Sequence, residues 1–271
     1  MSMSLGLGFL GAGNMGEAMI RGVLAAKLYP PKRIAVFDAA TGRGESLRER
    51  YGVAVVPSAG ELLKACDTVV IAVKPQVLDV ALHGIPKAAA RGKTFVSVVA
   101  GARVERFTRT LGEGARVVRT MPNTPAQVGM GSTGIWFPPD VDEAIRKKVR
   151  ALFSSFGAVA EVPREELLDV VTALSGSGPA YAFLFLEALA DGAVRAGMGR
   201  QEATLLAAST LEGAARMVRL TGKHPAELKD MVMSPGGTTA AGVAALERGS
   251  FRATVMEAVM SAWHRCRELS G

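Results

Sequence analysis

Residues 6–16 read GLGFLGAGNMG, an apolar run that halts at three glycines. Leu7, Phe9 and Leu10 suit a short buried strand. Gly11, Gly13 and Gly16 fit G-x-G-x-x-G, and the EAMIRGVLAA that follows reads as a helix. Between a strand and a helix, the first glycine allows a tight turn and the second lets a pyrophosphate approach the main chain. The third lets helix and strand pack closely, with phosphates held by free N–H groups at the helix N-terminus. The motif alone is weak in a chain with 31 glycines. With a strand before it and a helix after it, Gly11, Ala12, Gly13, Asn14, Met15 and Gly16 form a candidate dinucleotide-binding turn. The bland alternative is a structural strand-to-helix turn.

Working outward, β-rich runs alternate with helical patterns as far as about residue 163. The runs are 5–10, 33–38, 68–74, 94–101 and 115–122, then the weaker 132–137 and 158–162. The helical patterns between them include ESLRERY, AGELLKAC and RVERFTRTL. This alternation implies parallel crossovers and a doubly wound sheet covered on both faces. From about residue 164 the strand signals vanish and only helical patterns remain. The expected organisation is therefore α/β: a dinucleotide-binding domain over residues 1–163, then an all-helical domain over 164–271. The long apolar faces of the helical half call for burial against a second copy, so a homo-oligomer is expected in place of a monomeric bundle.

The bulk properties fit a soluble globular protein: 271 residues, 49% hydrophobic and 21% charged, with a formal net charge of +7 that suits an anionic ligand. Basic residues are scattered, and RKKVR at 146–150 reads as a solvated helix face, so no nucleic-acid partner is expected. Cys66 and Cys266 are too few for a disulfide framework, and His83, His224 and His264 lack ligand spacing, so no metal site is expected. The most membrane-like stretch, 179–198, carries Glu187, Asp191 and Arg195 on one stripe and reads as a buried or interface helix. With no signal-type segment at the N-terminus, a cytoplasmic protein without a membrane partner is expected.

Asp38 closes the second strand 22 residues after Gly16. An acid about 20 residues on accepts from a ribose 2′-hydroxyl and repels a 2′-phosphate, which favours NADH. A turn or helix-cap aspartate is the alternative, and Arg43 could turn towards a phosphate, so NADPH stays open. Three loops complete the picture. AVKPQ (72–76) ends the central strand where such sheets bind ligands, with Lys74 facing either a cofactor or solvent. TMPNTP (120–125) uses two prolines to stiffen a loop that could place Asn123 near a nicotinamide or simply form a turn. In MSPGGTT (233–239), Ser234 reads as an N-cap and Pro235 as the first helical turn. Gly236 and Gly237 bare the N–H groups beside the Thr238 and Thr239 hydroxyls. The result is either an anion pocket or a well-capped helix start.

FLGAGNMG, AVKPQ, MPNTP, LSGSGPAYAF and HPAELKDMVMSPGGTTAAGVAALE follow one another across nearly the whole chain. Together they resemble pyrroline-5-carboxylate reductase, and the stretch from Glu227 to Glu247 is the most specific part. The resemblance implies a Rossmann domain followed by a helical domain that interlocks in a dimer. It implies NAD(P)H-dependent reduction of a five-membered cyclic imine bearing a carboxylate. It further implies that Thr239 hydrogen-bonds the ring nitrogen and can relay the proton. Ser234, Gly236, Gly237 and Thr238 would bind the carboxylate, and Glu165 would lie near the substrate. Val73, Lys74 and Ala100 would line up with cofactor-contact positions, with Ser175 and Ser177 near the site; Ala72, Pro75 and Asn123 join them as cofactor candidates from the AVKPQ and TMPNTP loops. Asp38 stands where some relatives carry a small polar residue, which questions their NADP preference. A β-hydroxyacid dehydrogenase would need a lysine shortly after the glycine-serine motif, and 175–189 contains none. A non-catalytic dinucleotide sensor is the other rival.

Overall fold

The computed structural model describes residues 5–40 and 42–270; the outer ends of the two expected domains, 1–4 and 271, lie outside them. Eight strands form one sheet: β1 (Leu5–Leu10), β2 (Ile34–Phe37), β3 (Ala54–Val55), β4 (Cys66–Ile71), β5 (Thr94–Ser97), β6 (Arg116–Met121), β7 (Gly131–Trp136) and β8 (Gly157–Glu161). Their order is β3-β2-β1-β4-β5-β6-β7-β8. The first six strands pair in parallel in the doubly wound 3-2-1-4-5-6 order. One departure from the expected parallel pattern follows. β7 runs antiparallel to β6 because only a short 3₁₀ turn, Thr124–Val128, joins them, and a parallel return needs a longer crossover. The short β3 carries too little pattern to be read from sequence.

Helices cover both faces: α1 (Asn14–Ala25), α2 (Arg43–Tyr51), α3 (Ala59–Ala65), α4 (Leu78–His83), α5 (Lys87–Ala90), α6 (Val104–Leu111) and α7 (Glu143–Ser154). Successive strand residues feed opposite cores, as the two-residue period requires. Phe9, Val70, Val96 and Val118 join α1 and α7 in one cluster around Met19, Ile20, Phe153 and Phe156. Leu10, Val69, Ile71, Phe95 and Val117 join Leu62, Leu63, Phe107 and Leu111 in the other. Burial on both faces is why these strands read as nearly continuous apolar runs.

After β8 come α8 (Leu167–Val171) and a π turn, Thr172–Gly176. Helices α9 (Gly178–Arg195), α10 (Arg200–Thr221), α11 (Pro225–Val232), α12 (Thr238–Arg248) and α13 (Phe251–Ser270) complete the chain. Compactness divides the molecule later than the change of periodicity. Residues through Ser177, with those from Ala262 on, form one unit, and Gly178–Ser261 form the other. α8 stays with the sheet because Val171 packs directly over Gly134 of β7, where a Cβ would meet it at 2.7 Å.

The two units differ sharply in core. The helical unit buries only Ala190, Ala203 and Ala207 as a cluster, with Leu186, Ala193 and Val194 packed against it. Phe183, Leu184, Leu205 and Leu220 are each more than 60% exposed. Among the described residues, one helical run, Leu167–Arg195, is long and apolar enough by length and composition to cross a membrane.

Candidate active site

At the carboxyl ends of β1, β2 and β4 lies a cleft of about 820 Å³. Gly11, Gly13, Asp38, Ala72, Val73 and Lys74, all expected from sequence, line it together with Arg43. The three glycines divide their work as the spacing implies. Gly11 has φ +107°, and a Cβ there would sit 2.6 Å from the Ala72 carbonyl oxygen. At Gly16 a Cβ would sit 2.6 Å from the Gly11 carbonyl oxygen, so only a bare backbone lets α1 approach the turn. Gly13 is different: a Cβ there meets nothing within 4 Å. The turn is therefore open only where a pyrophosphate would pass. Gly13 is also the N-cap of α1 and offers no side-chain acceptor. The N–H groups of Asn14, Met15 and Gly16, in the first helical turn, have no intrahelical acceptor and stay available to an anion. These residues fit a dinucleotide.

Asp38 does more than face the cleft. Its Oδ2 accepts from the Ala12 N–H at 2.6 Å and its Oδ1 from the Ala40 N–H at 2.7 Å. Each oxygen keeps a second lone pair, so the carboxylate can hold the glycine turn and still accept from a ribose. Lys74 is exposed at the rim, and Pro75 opens the 3₁₀ turn Pro75–Val77 that ends β4. Val77, which closes the 3₁₀ turn, and Val80, in α4, add an exposed apolar wall that sequence reading missed.

Past β5, the loop from Val98 to Arg103 begins beside this cleft, where the Val98 N–H donates to the Ile71 carbonyl at 3.1 Å. Ala100 lies half-buried in that loop. Asn123 sits at the end of β6, but its amide is engaged inside the protein. Nδ2 donates to the Ser175 carbonyl at 2.9 Å, and Oδ1 accepts from the Ser132 N–H at 2.8 Å. It thus braces β7 and the π turn. Glu165 is likewise engaged: Oε1 accepts from the Val104 N–H and from Arg119, each at 2.9 Å. Arg119 is buried within β6. It was missed in the sequence, although an arginine in a strand covered on both faces demands a partner.

In the helical unit, the expectation for Ser234 needs correcting. The helix begins at Thr238 and its N-cap is Gly237. Residues 234–237 form a separate turn, in which the Gly237 N–H donates to the Ser234 carbonyl at 3.0 Å. Pro235 at the second position and Gly236 at the third, with φ +68°, suit a type II turn. Proline sets the turn here, not the helix. Gly237 brings no side-chain acceptor, so the N–H groups of Thr238, Thr239 and Ala240 point out of the helix end uncapped. The Thr238 and Thr239 hydroxyls make no hydrogen bond among the described residues.

A Rossmann sheet with an open glycine turn, followed by a helical unit with a bare helix start, defines the two-domain class of NAD(P)-dependent oxidoreductases. Comparison with known proteins sharpens this. The family model for pyrroline-5-carboxylate reductase dimerisation matches residues 165–269, and that for coenzyme F420-dependent NADP oxidoreductase matches residues 6–101. Pyrroline-5-carboxylate reductase of Arabidopsis thaliana is 45% identical over 98% of this chain and 96% of its own length. The Escherichia coli enzyme is 39% identical over 97% and 98%. A solved pyrroline-5-carboxylate reductase from Coxiella burnetii superposes with a TM-score of 0.93 at 33% identity, covering 99% of each chain. One from Plasmodium falciparum, solved with NADP bound, gives 0.87 at 32% identity over 98% of each. The chain belongs to the pyrroline-5-carboxylate reductase family. It is an NAD(P)H-dependent oxidoreductase.

Proposed function

We propose that this chain reduces 1-pyrroline-5-carboxylate to L-proline, the last step of proline biosynthesis, as a homo-oligomer joined through its helical unit. Family membership supports the reaction, and the observation that carries the site is the turn at 234–237 leading into the uncapped start of α12. Bound NAD(P)H supplies the hydride that saturates the C=N bond at C5. The exposed N–H groups after Gly237, at the positive end of α12, suit the substrate carboxylate. Ser234, Gly236 and Thr238 shape that pocket. The Thr239 hydroxyl, free of other partners, hydrogen-bonds the ring nitrogen and relays to it a proton taken up from water, so that the hydroxyl ends protonated. An imine needs orientation and a proton donor more than a strong base, which suits a site built from backbone and hydroxyl groups.

On the cofactor side, Gly11 to Gly16 take the pyrophosphate, with Ala72, Val73, Lys74 and Pro75 along the cleft and Ala100 in the loop after β5, while Asn123 braces the end of β6 with its amide engaged inside the protein. Asp38 supports a preference for NADH, since a 2′-phosphate would approach a carboxylate already fixed by two N–H groups. Arg43 in the same cleft leaves NADPH usable. The apolar faces of α9 and α10 suit burial against a second copy, which explains the membrane-like composition of Leu167–Arg195 without a membrane. The buried Cys66 thiol suits a reducing, cytoplasmic setting.

The test is initial-rate oxidation of NADH and of NADPH with racemic pyrroline-5-carboxylate. Turnover, with NADH favoured, is expected. In Thr239→Ala, kcat falls roughly 10–1,000-fold with dinucleotide affinity retained, as for loss of one transition-state hydrogen bond. No turnover from folded protein that binds dinucleotide would refute the substrate, and unchanged kcat would remove Thr239 from the proton path.

A further inference from the structure

Glu165 looks from sequence like a substrate ligand, yet its Oε1 is engaged twice within the protein. Helix α6 has Arg103 as its N-cap residue and no side-chain cap of its own. The missing acceptor comes from 61 residues away, where Glu165 Oε1 takes the Val104 N–H at 2.9 Å. The same oxygen is held by Arg119 at 2.9 Å, with the two side chains only 12% and 5% exposed. A carboxylate at a helix N-terminus favours the helix, and the buried arginine fixes where that carboxylate stands.

This clamp acts on residues 98–103, the loop between β5 and α6. At the near end, Ser97 Oγ accepts from the Val99 N–H at 3.2 Å, and the Ser97 carbonyl accepts from Thr120 Oγ1 at 2.9 Å. The far end is Val104, held by Glu165. The loop begins against Ile71, one residue before the cleft-lining Ala72. It carries Ala100, whose side chain has no polar group, so Ala100 can serve a cofactor only through where it is placed. Asp79 and Arg106 add a second tie: a two-pronged ion pair, at 2.8 and 2.9 Å, joins α6 to α4, which carries Val80 of the cleft wall. α6 is thus fastened to the cleft wall at one point and to Glu165 at another.

We propose that Glu165 is a positioning residue for the dinucleotide: with Arg119 it holds α6 and the 98–103 loop in register with the cleft, and it does not contact the substrate. The proposal rests on the reading of that cleft as the dinucleotide site. The experiment uses the full-length protein with Glu165→Ala, Glu165→Gln and Gly13→Val. NADH and NADPH affinities are measured without substrate, and KM for pyrroline-5-carboxylate is measured at saturating dinucleotide. Glu165→Ala weakens dinucleotide binding about 10- to 100-fold, as a small misplacement of a binding loop does, and leaves KM within about twofold. Glu165→Gln, which keeps an acceptor for the Val104 N–H, falls between wild type and Glu165→Ala. If Glu165→Ala strands Arg119 and does not fold, Glu165→Ala/Arg119→Met removes both charges and reads the same quantity. A KM raised tenfold or more with dinucleotide affinity intact would make Glu165 a substrate ligand and overturn the proposal. So would no change in either quantity. Unaltered dinucleotide binding in Gly13→Val would overturn the cleft itself, a failure separable from that of Glu165.

Discussion

Gly13 offers a substitution in which stability and function should part company. Its backbone, φ −70° and ψ −176°, suits any residue, and an added methyl meets no protein atom within 4 Å. Gly13→Ala therefore meets no steric cost, and the gain of about 0.4–1 kcal/mol from restricting the unfolded chain is offset by the poorer fit of alanine at the N-cap of α1, a loss of about the same size. Gly11→Ala and Gly16→Ala are the contrast. Each forces a methyl to about 2.6 Å from a carbonyl oxygen, and Gly11 adds a left-handed backbone. Overpacking of this kind costs about 1–3 kcal/mol, with the strained φ adding to it at Gly11. The methyl of Gly13→Ala instead occupies space a pyrophosphate would take. A similar overpacking penalty of about 1–3 kcal/mol, paid on binding, corresponds to a roughly five- to 150-fold weaker dinucleotide. Thermal unfolding without cofactor and a fluorescence titration with NADH separate the two effects. Gly13→Ala should melt close to wild type and bind NADH far more weakly, while Gly11→Ala should melt well below it. Wild-type affinity in a stable Gly13→Ala protein would mean that no phosphate passes over this residue.

Asp38→Ser should move the NADPH-to-NADH preference towards NADPH about five- to 150-fold. Removing one negative charge near a 2′-phosphate is worth about 1–3 kcal/mol at intermediate dielectric; the ratio of kcat/KM values reads it, and an unchanged ratio would leave Asp38 only its ties to Ala12 and Ala40. Cys66 is fully buried, and burial pushes its thiol up to about 11 from 9.0. Because the folded value is raised, the stabilisation is intact below pH 9 and lost as pH rises towards 11. The loss is about 3 kcal/mol, read as the difference between wild type and Cys66→Val in urea titrations across that range; parallel curves would refute it. Leu184→Glu, at an exposed apolar position of α9, should weaken self-association by more than about 100-fold, since it replaces a Leu contact with a buried charge. Sedimentation at dilute concentration reads this, and an unchanged oligomer would place the interface elsewhere.

Local chemistry was legible in the chain. The strand–glycine–helix start, the alternation of strands and helices and the later loss of strand signals all depend on neighbours within a few residues. The roles of Gly11, Gly13 and Gly16 follow from their spacing, and the structure assigns each the close approach or open space that its place in the motif implies. The dearth of core in the helical unit matches its long apolar faces. Other features come from residues far apart. Whether β7 returns parallel or antiparallel depends on how much chain the 124–128 turn provides and on which edge remains open beside β6. The helix after SPGG starts at Thr238 because a proline–glycine turn closes on Ser234 first, a choice between two local solutions that the letters leave equal. Asn123 and Glu165 carry side chains that suit a ligand as well as a brace. Only folding brought Ser175 to the amide of one and Val104 and Arg119 to Oε1 of the other. Sequence specifies which groups can bond, but a partner 46 to 61 residues away is selected by the packing of a whole sheet and its helices.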